Sequence, residues 1–413
     1  MGQKACHFID FLIQLIDRIG RRLAIAIQWK YQVASLVMLP RLVLISSIFI
    51  ATLANANNQR FARLILFVPE GTEIPEAYSE RLTQIALRTE AFFKDGIERW
   101  GWEVERSEIF ARNDNGEIEI ILARGELPPE AVGRNALPDI TRLALEAANT
   151  EVPKELAEQS IWWTFYHCPK QEVRGFRGMG GRDYGRAINR YPDVPGEIPP
   201  IIHLADETMW QLNLKGCIHE FGHALGLPHI GPKSKDAMGN SLMGPINRAY
   251  HSKAKIEGNE PRVYLTEASA AMLANHPIFS SQSSTKLQTP NRIRIQDLSI
   301  EEIQNGQRIS IKGSIGGSLL PRSVIVLDSS GRGFGDYWAR PYVGEVDSQG
   351  RFKTIVDETF EEASKGSLSL FFCFPNGRNA SSGPKESMQG GVTNIPYKGK
   401  QGARQFELPH SLQ

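Results

Sequence analysis

Cysteine is scarce. The 413 residues hold four, and only Cys168, Cys217 and Cys373 lie beyond position 56. So sparse and odd a set excludes a small disulfide-stapled framework, and an apolar core must hold the fold. Net charge is equally scarce, at +1, which gives no global basic field for nucleic acid. The glycine-rich GMGG at 178–181 has neither the spacing nor the Lys of a phosphate loop. No D-x-[DN]-x-[DN]-G loop is present; calcium held by scattered carbonyls leaves no pattern, so Ca2+ is not indicated and stays open. Long apolar runs are missing too: Leu42 to Leu53 falls short of the roughly 20 residues a membrane span needs. What is present, 41% hydrophobic and 23% charged residues, is globular and long enough for two domains.

The small net charge hides an asymmetry. Residues 1–56 carry Lys4, Arg18, Arg21, Arg22, Lys30 and Arg41 against Asp10 and Asp17, a net +4, which leaves −3 for the rest. Arg41, the apolar run and Ala54-Asn55-Ala56 follow the order of a secretory signal, with cleavage expected after Ala56. Counted from Met38, a candidate initiator, that signal has a normal length, and residues 1–37 read as an over-extended start or a long positive flank. Met1-Gly2 is no myristoylation signal, because Cys6 stands where Ser or Thr is required. The expected destination is the periplasm or the extracellular space. Under export, Cys168 and Cys217 can pair or stay reduced, and Cys373, inside the apolar LSLFFCF, reads as a buried thiol.

Beyond residue 57 the pattern is that of an α+β protein. ARLILFVPEG reads as a buried strand, and the stretch after it, through Leu82, Ile85, Ala86, Phe92 and Ile97, as a helix stopped by Gly101. WEVERSEIFA and EIEIILAR read as a hairpin around Asn113–Gly116. A helix at ALPDITRLALEAANT, an aromatic strand SIWWTFYHC and the strand IIHL complete a twisted mixed sheet with helices over residues 57–281. Polar residues 282–291 read as a linker. Short alternating runs over 292–375 predict a small antiparallel β-sandwich, and the Gly-, Ser-, Asn- and Lys-rich 376–413 reads as a tail without a fixed fold.

Residues 217–230, CIHEFGHALGLPHI, gather three of the nine histidines. H-E-x-x-H alone arises by accident in about 2 in 100 chains of this composition; adding Gly226 and the third His lowers that to roughly 4 in 100,000. On a helix, His219 and His223 share a face with Glu220 beside them. Gly226 permits the positive φ that ends a helix, and Pro228 keeps Leu227 extended, so the chain turns back and delivers His229. Three imidazoles and one open position are what a catalytic Zn2+ requires, with Glu220 as general base for a metal-activated water.

H-E-x-x-H-x-x-G-x-x-H, as it stands from His219 to His229, resembles the signature of the metzincin metalloproteases. That resemblance covers about residues 62–280. It implies a metzincin-like catalytic domain with a zinc helix and a methionine-bearing turn flooring the site: Met243 in SLMG, with Met238 as a weaker rival. The matrixin-like and pappalysin-like bacterial members are nearest. Pro245 stands where astacins and serralysins keep a Tyr, Ile230 follows the last His where several branches keep Asp or Ser, and no P-R-C-G-x-P-D segment is present. The family binds substrate along an edge strand upstream of the zinc helix, which points to GGRDYGRAINRY, with Arg182, Arg186 and Arg190 offered to acidic side chains. Tyr250 and His251 are weaker candidates for the pocket, and His203 reads as a core histidine.

The implied function is a secreted zinc endopeptidase acting on protein or peptide, with no nucleic-acid partner, no stable membrane span after signal cleavage, and a C-terminal domain that binds substrate or cell surface. The alternative is an exported adhesion or binding protein whose metzincin-like fold has lost proteolysis. Glu220 with all three histidines favours the enzyme.

Overall fold

The computed structural model describes residues 60–193, 198, 214–236, 238–244, 263–280, 294–317, 319–330, 339–358, 365–380 and 393–408. The expected signal region with Met38, the expected strand IIHL with His203, the linker 282–291, Pro245, Tyr250 and His251 lie outside them. Among the described residues no helix is long and apolar enough to cross a membrane.

The first layer is built on β1 (Ala62–Pro69), whose eight residues are all buried, as befits a parallel strand covered on both faces. It pairs in parallel with β2 (Ile120–Gly125) and β3 (Ile161–Tyr166), Leu64 facing both Ile120 and Trp163. An antiparallel strand β4 (Arg177–Gly180) and a parallel one, β5 (Gly185–Arg190), complete the order β2-β1-β3-β5-β4. Alternation along β3 and β5 divides two cores. Trp163, Phe165 and Ala187 face α1 (Tyr78–Glu98), α3 (Leu214–Ala224) and α4 (Glu267–Leu273), while Trp162, Tyr166 and Ile188 face α2 (Ala136–Glu151). A two-stranded parallel ladder joins β6 (Asn240–Ser241) to β7 (Val263–Tyr264).

The expected hairpin exists only as a turn. Asn113 N–H reaches Glu117 O at 2.9 Å and Gly116 has φ +79°, but WEVERSEIFA forms no strand and makes a single bridge at Phe110, with another at Arg112 just after it. The buried carboxylate of Glu90 on α1 takes the amides of Ile109 (2.8 Å) and Phe110 (3.1 Å) and pairs with Arg112 (2.9 Å). Those amides are withdrawn from any longer ladder.

The C-terminal half corrects two expectations. Strands β8 (Arg294–Ile303), β9 (Arg308–Gly316), β10 (Ser323–Ser330), β11 (Arg340–Val346), β12 (Arg351–Val356), β13 (Lys365–Cys373), β14 (Asn379–Ala380), β15 (Thr393–Lys398) and β16 (Gln405–Phe406) form one antiparallel sheet. Its order is β16-β15-β13-β10-β11-β12-β9-β8, with β14 on β13. The sheet curls instead of splitting into a two-layer sandwich. Glu302 on β8 accepts from Arg404 N–H (2.9 Å) and Arg404 Nη1 (2.6 Å) beside β16, drawing first and last strands into a near-barrel. The residues expected as an unfolded tail supply β14, β15 and β16. Ile395 and Tyr397 alternate inward to join Val326, Leu370 and Phe372, an apolar pair that the polar composition around them conceals.

The near-barrel is not a separate body. Its outward Ile325, Leu327, Phe371 and Cys373 share the apolar core of α1, α3 and α4, and residues 59–413 form one compact unit. Polar ties reinforce the seam: Arg322 donates to Asn275 Oδ1 at 2.5 Å, Gly231 N–H to Ala339 O at 2.7 Å, and Lys235 pairs with Asp357.

Candidate metal centre

Helix α3 is placed by aromatic stacking. Phe221 lies 4.6 Å from Trp163 of β3 at 19° and 5.5 Å from Phe110 at 23°, and Trp163 Nε1 donates to Asn189 Oδ1 at 2.8 Å. Strands β4 and β5 approach the helix so closely that side chains are excluded: a Cβ at Gly178 would stand 2.0 Å from Glu220 O, and one at Gly180 2.0 Å from Ala224 O. GMGG is therefore a seat for the helix backbone.

The helix ends where the sequence predicts. Gly226 has φ +86°, its N–H bonds to His223 O (3.0 Å), and Leu227 N–H bonds to Gly222 O (3.0 Å), the paired bonds of a glycine-terminated helix. The reversed chain brings His229 back. Ligand nitrogens of His219, His223 and His229 lie within 4.8 Å of one another, with His223 Nε2 and His229 Nε2 at 3.1 Å.

Two backbone carbonyls orient the imidazoles. His219 Nδ1 lies 2.9 Å from Leu242 O and His223 Nδ1 2.7 Å from Leu227 O, so the neutral rings donate through Nδ1 and turn Nε2 lone pairs inward. Burial pushes the pKa of His219 well below the usual value and lowers that of His223; it takes His229 down to about 4. All three are neutral at pH 7, the state that binds metal. Nitrogens sharing one tetrahedral zinc stand about 3.4 Å apart, so the donor set and its spacing suit such a cation. Among the described residues it is the one such His, Cys or carboxylate cluster.

Met243 is buried beneath the helix; a Cβ added at Gly222 would meet its Sδ at 2.6 Å. Met238 is only half-buried. The turn carrying Met243 is bonded to the segment after His229 through Ile230 N–H to Met243 O (3.2 Å) and Ser241 Oγ to Ile230 O (2.7 Å). Lys215, which sequence reasoning did not single out, reaches Gly244 O at 3.2 Å from the first turn of α3, and burial pushes its ammonium down to about 7.

Glu220 is buried beside the histidines. Burial pushes its carboxyl up to about 7, against the Gly178 amide hydrogen bond that favours the anion. A carboxyl of that pKa can hold or release a proton near neutrality.

Other expectations fare differently. GGRDYGRAINRY, expected as the edge or the loop shaping it, forms the loop after β4 and the inner strand β5, and β4 lies outside β5 in the sheet. Arg186 and Arg190 project from the face of β5 opposite α3, and Arg182 is held by Asn376 O and Asp183. Cys168, Cys217 and Cys373 are free thiols. Cys217 belongs to the α3 core and Cys168 packs on the α2 core, so the sheet stands between them. His276, also unflagged by sequence, bridges the loop after β4 to the end of α4: Nε2 donates to Gly181 O (3.2 Å) and Nδ1 accepts from Ile278 N–H (3.2 Å).

No family model and no curated protein matches the sequence. Solved structures do resemble it. Wild-type OgpA from Akkermansia muciniphila, in two crystal forms, aligns with TM-score 0.62 at 19% identity over 84% of this chain and 94% or 96% of that one. Catalytically inactive OgpA in complex with an O-glycopeptide substrate, glycodrosocin, aligns with TM-score 0.60 at 18% identity, covering 83% of this chain and 93% of that one. At this identity the likeness establishes the fold: the chain shares the architecture of OgpA across both its helix-covered sheet and its near-barrel.

Proposed function

We propose that the chain is an exported zinc endopeptidase of metzincin type. The observation that carries this reading is the convergence of His219, His223 and His229 nitrogens within 4.8 Å of one another, with buried Glu220 on the same helix. A zinc ion held by the three histidines supplies Lewis acidity, which acidifies water and polarises a carbonyl oxygen. Glu220 takes the proton from the attacking water and returns it to the leaving amine. The Leu242 carbonyl keeps His219 from turning away. An extended peptide adds to β4, the outer strand of its sheet among the described residues, so main-chain bonds present the scissile carbonyl to the water that Glu220 deprotonates. The O-glycopeptide complex of OgpA supports a peptide substrate and makes glycosylated peptides the first to try.

The test measures zinc content and cleavage of casein and of an O-glycosylated peptide, with Glu220→Gln alongside. Zinc near one per chain and cleavage lost in the variant are expected. A zinc-loaded chain that cleaves neither substrate would favour the binding-protein alternative.

A further inference from the structure

Behind β4, on the sheet face opposite α3, lies a cleft of about 780 Å³ between that face and α2. Its floor is ordered by strand register. Met179, Arg186 and Trp162 stand in one row across β4, β5 and β3, and Arg177, Ile188 and Thr164 in the next. Arg134 and the half-exposed Phe176 close one end. That end is built: Gly133 N–H bonds to Glu172 O (2.6 Å), Arg174 N–H to Gly133 O (3.1 Å) and Tyr166 Oη to Gly175 O (2.8 Å). Gly175, at φ +101°, leaves room for Arg134, whose Cγ would lie 3.1 Å from a Cβ there.

The charge in this cleft is unbalanced. Arg142 is paired with Glu146 (3.0 Å) and Asp139 (3.6 Å), and Glu146 is the one carboxylate in the lining. Arg134, Arg177 and Arg186 make no ion pair among the described residues. Three guanidinium forks that line an apolar, aromatic-walled space without a carboxylate of their own suit an anion, which each fork can take with bidentate bonds. The volume exceeds what one carboxylate side chain fills and suits a ring or a short segment carrying it.

We infer that this cleft is a binding site for a carboxylate-bearing ligand, with Arg177 and Arg186 as its principal contacts and Phe176 and Trp162 packing on the ligand's body. The carboxylate belongs to an acidic peptide segment or to an acidic sugar. The site stands apart from the histidine cluster, so it does not depend on zinc or on proteolysis.

The full chain, kept in chelator to separate this site from metal chemistry, is titrated by calorimetry and Trp fluorescence with a tetraglutamate peptide and with sialyllactose. Tetraglutamine and lactose serve as neutral controls. Saturable binding of either acidic probe, about tenfold or more tighter than its neutral control and weakened by salt, is expected. Which probe saturates identifies the source. The Arg177→Ala/Arg186→Ala double variant should weaken binding about tenfold or more, with the Lys/Lys double variant in between; both positions are exposed, and an unchanged melting temperature checks the fold. Binding of neither acidic probe, or binding indifferent to the double variant, overturns the inference.

Discussion

Glu220 and the glycines around it set the expectations at the scale of single residues. Glu220→Gln keeps the shape and the Gly178 contact but cannot take a proton, so cleavage should fall about 10²- to 10⁴-fold while zinc stoichiometry is retained, measured by turnover and metal analysis on one preparation. Two glycines separate hard from soft packing. In Gly178→Ala the new methyl meets backbone, Glu220 O at 2.0 Å, so α3 must shift; a loss of about 3 kcal/mol in urea unfolding is expected. In Gly222→Ala the methyl meets the Sδ of Met243, a flexible side chain, and the loss should be smaller, about 1 kcal/mol. Equal losses would contradict that ranking. His219, His223 and His229 were legible because their spacing is local and a helix fixes its consequences. Gly178, Lys215 and His276 were not, because each acts on a partner far along the chain that periodicity does not reveal.

At the scale of elements, the histidine-bearing helix α3 and its glycine terminus follow the pattern read from CIHEFGHALGLPHI, since capping is written in neighbouring residues. The strand expected at WEVERSEIFA fails because a tertiary partner, Glu90, takes its amides. β15 escaped notice because only Ile395 and Tyr397 mark it among polar neighbours. The joint between α4 and the loop after β4 carries a pH signature. Burial takes His276 down to about 4, below the ordinary 6.5, so the unfolded chain takes up the proton first as pH falls. The stability this provides is complete above pH 6.5 and is lost toward pH 4, on the order of 3 kcal/mol. Asp328, buried with Tyr397 Oη at 2.8 Å and pushed up to about 6 by burial, works in the opposite sense, its protonation adding stability as pH falls through 6. In metal-free protein, His276→Gln should therefore lose less stability than wild type between pH 7 and pH 5. Parallel losses would remove His276 from this role.

For the whole molecule, the sequence divides the chain into a catalytic domain and a C-terminal domain, while the structure binds the halves through one core. Composition marked the change in strand pattern but carried no sign that the outer face of the sheet is apolar as well, with Ile325, Leu327, Phe371 and Cys373 turned to the helices. Cutting the chain after residue 281 uncovers that seam on α4, so the remaining part should aggregate or melt without cooperativity, followed by circular dichroism and limited proteolysis. A cooperative, zinc-binding product would show the near-barrel to be dispensable. Excess zinc should raise the melting temperature of the intact chain and a chelator lower it, because a ligand bound only by the folded state stabilises that state. The tie from Gly231, two residues after His229, to Ala339 also bears on timing. Synthesis delivers His219, Glu220 and His223 first, yet the segment behind His229 waits for residue 339, and the loop beside β4 waits for Asn376 to receive Arg182. A nascent chain that has not yet reached residue 339 thus carries all three histidines without the bond that seats the segment behind His229.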